Sequence, residues 1–405
     1  MMTVPVPGAT LGVVGGGQLG RMLAEAASPL GAEVHVLDPT PDCPAAPPAA
    51  DQVTADFDDE TGLRDLAADV DALTFEIELA DPDVLERVAS DAGVPVHPSP
   101  GTLRTIQDKL VQNRALADAG VPVAPFRAVD TAEDLAAAFD ELGSPLMLKA
   151  RTGGYDGRGN APVDSVGDAR ETFDGLDGLV AEELVDFERE LSVIGARGDG
   201  ETATYPVAEN VHEDEILRES VVPARTSDAV HERADEVARD VLGVLDGRGV
   251  FGIELFERAS RSDAESASGG NRERADAQIL VNEIAPRPHN SGHYTIEGCH
   301  ISQFEQHVRG VLGLPLGEIL LRAPTAMANL LGDDRPSRPA ELEGVPGALA
   351  EPGVAFHWYG KREVRPLRKM GHVTAVAPDT RGVDGTDRDA LLDCARSARD
   401  ELAFE

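Results

Sequence analysis

Short apolar runs alternate with glycine turns and polar helical stretches through the first hundred residues. Leu11 to Val14 is apolar and reads as a buried strand. The run GGGQLG, Gly15 to Gly20, follows it, then a helical pattern from Arg21 to Ala27. A second apolar run, Glu33 to Leu37, ends at Asp38. Strand, glycine turn, helix and strand in that order predict a parallel sheet. The Pro- and Ala-rich stretch 39–50 predicts an irregular loop. Asp71 to Ile77 reads as a further strand carrying Glu76 toward Glu78, and Pro98–Ser99–Pro100 as a turn.

The pattern changes after Gln107–Asp108–Lys109. From there to about residue 300, short strands alternate with helices and tight turns. Pro145 to Leu148 predicts a strand ahead of a glycine-dense loop. FGIELF (Phe251 to Phe256) and ILVNEI (Ile279 to Ile284) predict two apolar strands. The polar, low-complexity stretch 258–276 between them reads as a long hairpin loop in solvent. The last segment predicts short strands and an amphipathic helix from Asp387 to Leu402. The expected architecture is α/β and α+β in three parts: a Rossmann-like unit at 1–110, a second unit at 111–323, and a small β-rich unit at 324–405.

Composition narrows the function classes. The chain has 405 residues, 36 basic against 73 acidic, for a formal net charge of −37. A phosphate backbone would be repelled, and a single tryptophan argues against an aromatic platform for nucleic acid. Cys43, Cys299 and Cys394 are too scattered for a disulfide framework or a cysteine zinc site, which suggests a reducing cytoplasm. No stretch approaches the roughly 20 apolar residues of a membrane span, and the amino terminus lacks the pattern of a signal peptide. Lysine is nearly absent. Lys109, Lys149, Lys361 and Lys369 are the only four, leaving arginine as 32 of the 36 basic residues. Each lysine lies in a motif-like segment, so each is a candidate for work that arginine does not do.

Four places carry candidate chemistry. In KARTGGYDGRGN, Lys149 ends a strand and Gly153, Gly154, Gly157 and Gly159 crowd the loop among Arg151, Tyr155, Asp156 and Arg158. Such a loop can turn its amides toward an anion, with the lysine as a point charge, and suits a nucleotide phosphate tail. Gly15, Gly17 and Gly20 with Asp38 match a dinucleotide-binding fingerprint, which alone supports a nicotinamide-dependent oxidoreductase. A tight turn needed only for packing fits the same residues. Glu254 and Glu283 sit on the two strands joined by the polar loop. If those strands pair, both carboxylates can converge on one Mg²⁺, with Asn282 beside them. Directly after comes APRPHNSGHYT, with Arg287, His289, Asn290, Ser291 and His293, a cationic loop suited to a small anionic substrate. No helix is expected to set His289 and His293 on one face, which argues against a two-histidine zinc site. Lys361, Arg362, Arg365, Arg368, Lys369 and His372 form the one strongly basic run, a candidate clamp on a substrate phosphate.

Taken in order, GGGQLGRM, TFEIE (Thr74 to Glu78), PSP with QDK, LKARTGGYDGRG, SVIGARG, ENVHEDEILR, NEIAPRPHNSGH, SQFEQHVR and HWYGKREVRPLRKMGH resemble the ATP-grasp superfamily. Within it they resemble the 5-(carboxyamino)imidazole ribonucleotide synthase family. The resemblance implies an ATP-grasp fold with an amino-terminal pre-ATP-grasp domain and a small carboxy-terminal domain. It implies a cytoplasmic, homodimeric carbon–nitrogen ligase of purine biosynthesis that uses ATP and Mg²⁺ to carboxylate aminoimidazole ribonucleotide with bicarbonate. By position it assigns Lys109, Lys149 and the loop from Gly153 to Gly159 to the ATP phosphates. Glu182, Glu183, Leu184 and Val185 become the adenine hinge, Glu190 the ribose partner, and His212 and Asn282 neighbours of the nucleotide. Glu254 and Glu283 become the metal ligands. The ribonucleotide would touch Gln18, Leu19, Glu76 or Glu78, Tyr155, Asp156, Arg158, Arg287, His289, Asn290 and Ser291, with Lys361, Arg368 and Lys369 on its phosphate. Arg287, His289, Asn290 and Lys361 are the candidate catalytic groups. The formate-dependent glycinamide ribonucleotide transformylase of the same superfamily is the nearest alternative. The nicotinamide oxidoreductase and a non-catalytic nucleotide sensor are more distant ones.

The charge generates a prediction. An acidic surface of this kind suits high salt, where the screening length is about 3 Å at 1 M against about 10 Å at 0.1 M. Thermal unfolding followed from molar to 0.1 M KCl should show a falling Tm. An unchanged Tm in dilute buffer would contradict it.

Overall fold

The computed structural model describes residues 6–153, 159–258, 278–378 and 387–405. The loop positions Gly154, Tyr155, Asp156, Gly157 and Arg158, and the polar stretch from 259 to 277, lie outside the described residues. Strands β1 (Thr10–Val14), β2 (Glu33–Leu37), β3 (Asp51–Val53) and β4 (Ala72–Phe75) make a parallel sheet in the order β3-β2-β1-β4. The helix after the glycine turn begins at Gln18, three residues earlier than the periodicity predicts, because Gly17 serves as its N-cap. The fourth strand stops at Phe75, short of the predicted Ile77, because the Glu76 side chain turns back to the glycine turn.

A second, antiparallel sheet has β5 (Phe126–Val129), β6 (Leu146–Ala150), β7 (Asn160–Val163) and β8 (Leu179–Glu183) in the order β5-β8-β6-β7. Its core is Leu135, Leu146, Leu148, Val163 and their neighbours. The helix that leads toward it, Lys109–Asp118, starts at the expected change of pattern. Its N-cap Asp108 accepts from the Leu110 and Val111 amides.

The third sheet dominates the molecule. It holds β9 (Phe187–Arg197), β10 (Thr202–Thr204), β11 (Ala208–Glu213), β12 (Ile216–Val222), β13 (Gly249–Arg258), β14 (Gln278–Ala285) and β15 (Thr325–Leu331). Two small ladders are formed by β16 (Arg338–Pro339) with β19 (Glu363–Val364), and by β17 (Leu342–Glu343) with β21 (Ala403–Phe404). The strands β18 (Val354–Trp358) and β20 (Lys369–Val376) return to the large sheet, whose order is β14-β13-β9-β11-β12-β15-β20-β18 with β10 on β9. The carboxy-terminal strands thus extend the central sheet through the β12–β15 pair. The segment that sequence reading set apart therefore shares its main sheet with the segment before it.

Packing joins all three segments. Helix Gln18–Ala27 places Leu19, Met22 and Leu23 against Phe304, Val308 and Val311 of helix Gln303–Leu312, and Tyr359 completes the same cluster. Helix Asp228–Val244 covers the other face of β9, β13 and β14 through Val237, Val241 and Leu242. His307 is a buried strut between segments. Its Nδ1 accepts from the Val250 amide at 3.1 Å, so its Nε2 carries the proton and donates to Thr74 Oγ1 at 2.8 Å. The carboxy-terminal helix Arg388–Asp400 is fixed by Arg396 and Arg399 on the buried Glu219 carboxylate, at 2.6 and 3.3 Å.

Candidate functional site

Antiparallel pairing of β13 with β14 sets Glu254 directly opposite Glu283. The register shifts just after this pair, between Glu254 and Leu255. A bulge of this kind re-aims side chains at the end of a ladder. Glu254 is half-buried, whereas the Glu283 side chain stays 49% exposed at the mouth of the cleft. Burial, with the Glu283 charge second, pushes the Glu254 carboxyl up to about 7. Burial acts on Glu283 too, but it is outweighed by the Lys109 charge and hydrogen bond, and its pKa is lowered. Lys109 Nζ donates to Glu283 Oε1 at 2.9 Å. Two adjacent carboxylates with an asparagine beside them are a hard oxygen donor set, which fits Mg²⁺ better than a transition metal.

The second lysine reaches the same place from the other sheet. Lys149, at the end of β6, donates to Asn282 Oδ1 at 3.2 Å and pairs with Glu182 at 2.7 Å, each side chain 9% exposed. Glu182 is also held by Asn113 Nδ2 at 2.9 Å. Glu182, expected at the adenine hinge, is thus held between Lys149 and Asn113. Glu183 pairs with Arg258, Leu184 is exposed, and Val185 is half-buried. Arg151 binds Asp108 at 2.5 Å, while the Lys109 amide donates to the Arg151 carbonyl at 2.9 Å. The loop that starts here is thereby fastened to the helix that carries Lys109. Its described ends, Gly153 and Gly159, have φ of +79° and +85°, which glycine alone adopts without strain.

Glu190 and His212 face the same cleft, lined also by Asn210, Glu254, Phe256 and Asn282. His212 Nδ1 meets Glu190 Oε2 at 2.7 Å. Burial lowers the His212 pKa, but the Glu190 hydrogen bond and the Glu254 charge outweigh it, and the net shift is upward.

The loop after Glu283 closes the cleft from a third side. Gln303 accepts from the His289 amide at 2.9 Å and donates to the His289 carbonyl at 2.7 Å. Ser291 donates its amide to His289 Nδ1 at 3.4 Å, so the ring proton sits on Nε2, 3.4 Å from Glu254 Oε1. Burial, with the nearby Arg287 and Lys369 charges, holds His289 well below the usual histidine range. Gly252 on β13 lies beneath it. A Cβ there would stand 2.4 Å from the His289 Cβ. Arg287 Nε meets Glu78 at 2.8 Å, linking the loop to the amino-terminal sheet. Asn290 is buried and exchanges hydrogen bonds with Asn329 at 2.7 and 3.1 Å, so its amide is spent inside the fold.

From the basic run, the Lys369 charge bears on Glu254, His212 and His289. Lys361 Nζ donates to the Lys369 carbonyl at 2.6 Å, and Arg368 Nη1 to the Glu363 carbonyl at 2.8 Å. Arg362 instead lies 3.5 Å from Asp42 on the surface.

The glycine turn departs most from expectation. The Gly17 and Gly20 amides donate to Glu76 at 2.5 and 3.1 Å, and the Gly16 amide donates to Asp38 at 2.9 Å. Gly15, at φ +106°, would put a Cβ 2.5 Å from Glu76 Cγ. The chain's own carboxylates therefore fill the helix N-terminus where a dinucleotide pyrophosphate would sit. Leu19 points into the apolar core, and Gln18 remains half-buried at the turn. A cavity of about 690 Å³ lies apart from the lysine–glutamate cleft, between His97, Arg197 and Arg248.

Sequence reading gave no role to Asp108, Asn113, Gln303 or Asn329. One signal was present: Asn113 is four residues from Lys109, hence on the same helical face.

The chain matches a ribonucleotide synthetase pre-ATP-grasp domain over residues 8–107, an ATP-grasp domain over 114–304 and a phosphoribosylaminoimidazole carboxylase C-terminal domain over 325–385. It is 42% identical over 379 residues to the N5-carboxyaminoimidazole ribonucleotide synthase of Brucella melitensis, covering 92% of this chain and 98% of that protein. The crystal structure of the N5-carboxyaminoimidazole ribonucleotide synthetase of Thermotoga maritima superposes with a TM-score of 0.83 at 39% identity, covering 97% of this chain and 98% of that one. The Aspergillus clavatus synthase, solved in complex with ADP and 5-aminoimidazole ribonucleotide, gives 0.83 at 37% identity, covering 97% and 99%.

Glu76 generates a prediction. Burial outweighs the Gly17 and Gly20 amides and the Arg287 charge, and raises its carboxyl from 4.5 to about 7. A raised carboxyl pKa favours folding below the unfolded value and loses that contribution as pH climbs through the folded one. Wild type should therefore lose roughly 3 kcal/mol relative to Glu76→Gln between pH 4.5 and about 7, then level off. Denaturant unfolding of both proteins across that range checks it, and parallel pH curves would refute it.

Proposed function

The chain belongs to the N5-carboxyaminoimidazole ribonucleotide synthase family of ATP-grasp ligases, and from that premise we propose the following division of labour. The enzyme carboxylates 5-aminoimidazole ribonucleotide at the expense of ATP, with bicarbonate as the carboxyl source. The observation that carries the reading is the register pair Glu254–Glu283, with Lys109 and Lys149 on one side and the Arg287–Ser291 loop on the other.

Lys109 and Lys149 hold the ATP phosphates, beneath the loop between Gly153 and Gly159. Glu254, Glu283 and Asn282 would hold Mg²⁺, which when bound neutralises phosphate oxygens. A bicarbonate oxygen attacks the γ-phosphorus, the bond to the β-phosphate oxygen breaks, and ADP leaves. The exocyclic amine of the ribonucleotide then attacks the carboxyl carbon of carboxyphosphate. The C–N bond forms, the C–O bond to phosphate breaks, and inorganic phosphate and one proton are released. The cations Arg287 and Lys369 stabilise the anions of both steps, and neutral His289 presents an N–H into the same space. Lys361, Arg368 and Lys369 take the ribonucleotide phosphate. The buried Asn290–Asn329 pair keeps the loop in place. A cytoplasmic homodimer completes the proposal. The described residues contain no helix long and apolar enough to cross a membrane.

Coupled ADP release should require both aminoimidazole ribonucleotide and bicarbonate, and ¹⁸O from labelled bicarbonate should appear in the phosphate. Equal turnover with formate and glycinamide ribonucleotide would move the chain to the transformylase reaction. Nicotinamide binding without ATP binding would restore the oxidoreductase.

The lysines should divide by ligand. A charge-assisted contact contributes roughly 1.5–3 kcal/mol, or about ten- to a hundredfold in binding. Lys361→Ala should weaken the ribonucleotide and spare ATP, and Lys149→Ala the reverse. Because Lys149→Ala also strips the buried Glu182 of its cation, its Tm is measured alongside the titrations. Loss of ATP with retention of the ribonucleotide in Lys361→Ala would overturn the assignment.

A further inference from the structure

Beneath the Arg287–His293 loop, three imidazoles gather that the proposed reaction does not use. His357 on β18 stands opposite His372 on β20. Their rings stack with centroids 4.5 Å apart and planes 11° from parallel. His293 lies against the same ring, 4.9 Å from His372 centroid to centroid. Glu297, from the short helix Thr295–Gly298, reaches across and meets His357 Nε2 with its Oε1 at 2.7 Å. One donor atom each from Glu297, His357 and His372 lies within 4.8 Å of the others.

The donors have spare capacity. His372 is fully buried, and its Nδ1 is engaged by Tyr359 Oη at 2.9 Å. Its Nε2 has no hydrogen-bond partner, nor do Glu297 Oε2 and His293 Nε2. These are three of the eight buried side-chain atoms without a partner among the described residues. Stranding such atoms is costly, and two of them, His372 Nε2 and Glu297 Oε2, belong to residues whose donor atoms converge, which points to something that uses them. Burial, with the His293 and His357 charges, also holds His372 well below the usual histidine range.

We propose that Glu297, His357 and His372 form a second cation site, separate from the Glu254–Glu283 pair and selective for a divalent transition metal of the zinc class. Two imidazoles and one carboxylate are a borderline donor set that suits zinc and not magnesium, which prefers oxygen alone. Tyr359 on His372 Nδ1 supplies the outer partner that fixes the ring and turns Nε2 inward. Loading displaces the hydrogen shared between His357 Nε2 and Glu297. Zinc bonds of about 2.0–2.2 Å require the three donors to draw together, and the stacked rings to splay. The ion would staple the two carboxy-terminal strands to the segment directly behind the Arg287–Ser291 loop.

The test uses the full chain, stripped with chelator, equilibrated with Zn²⁺ or Co²⁺ in molar salt and desalted. Expected are one retained zinc per chain by mass spectrometry, a visible Co²⁺ absorption band and a raised Tm. His357→Ala and Glu297→Gln, both at partly exposed positions, should each weaken retention by at least about tenfold. His212→Ala, in the nucleotide cleft, should retain the ion. No retained zinc in wild type, retention unchanged in both cluster variants, or loss in His212→Ala alone would overturn the proposal. None of these readouts depends on turnover, so the outcome is independent of the proposed reaction.

Discussion

The site depends on one constraint: two glutamates placed side by side on paired strands, one half-buried and one exposed at the cleft, with a net need for positive charge. An isolated buried carboxylate is expensive, and two neighbouring ones more so, unless cations attend them. Glu254 opposite Glu283 creates that demand. Lys109 answers it from the helix that bridges the first and second segments, and Lys149 stands beside Asn282 from the second sheet. The upward shift of Glu254 to about 7, against the downward shift of Glu283, shows how unevenly the available charge is shared.

Packing makes this convergence rigid. In the amino-terminal sheet, Glu76 and Asp38 engage the Gly16, Gly17 and Gly20 amides of the glycine turn. The sheet also contributes an apolar face against helix Gln303–Leu312, the Thr74–His307 strut and the Glu78–Arg287 pair. The same helix carries Gln303, which grips the His289 backbone at both ends. A displacement of the amino-terminal sheet would therefore reach the Arg287–Ser291 loop through three separate contacts.

The distribution of cations follows the same logic. Arginines take the structural ion pairs, as at Glu219, Glu209 and Asp108, where a planar fork suits a carboxylate. Three of the four lysines lie at the cleft or bear on it electrostatically, and Lys361 is tied to the backbone of Lys369. In a chain with a net charge of −37, this concentrates compact positive charge around the Glu254–Glu283 pair.

The sequence by itself determined the strands, the glycine-rich loops, the family and the chemical types at the cleft, because these follow from local periodicity and ordered motifs. Strand edges β2, β13 and β14 fall within two residues of the apolar runs that predict them. Tertiary structure decided what local pattern cannot encode. It turned Glu76 back onto the glycine turn, since only the folded sheet brings residues 59 positions apart into contact. It spent Asn290 on Asn329, and Glu182 on Lys149 and Asn113, because a buried polar group must find a partner wherever the chain provides one. It joined the carboxy-terminal strands to the central sheet through β12 and β15, a pairing between segments about a hundred residues apart that no short-range signal marks. It also gathered Glu297, His357 and His372 from separate elements, and spacing along the chain gives no hint of that cluster.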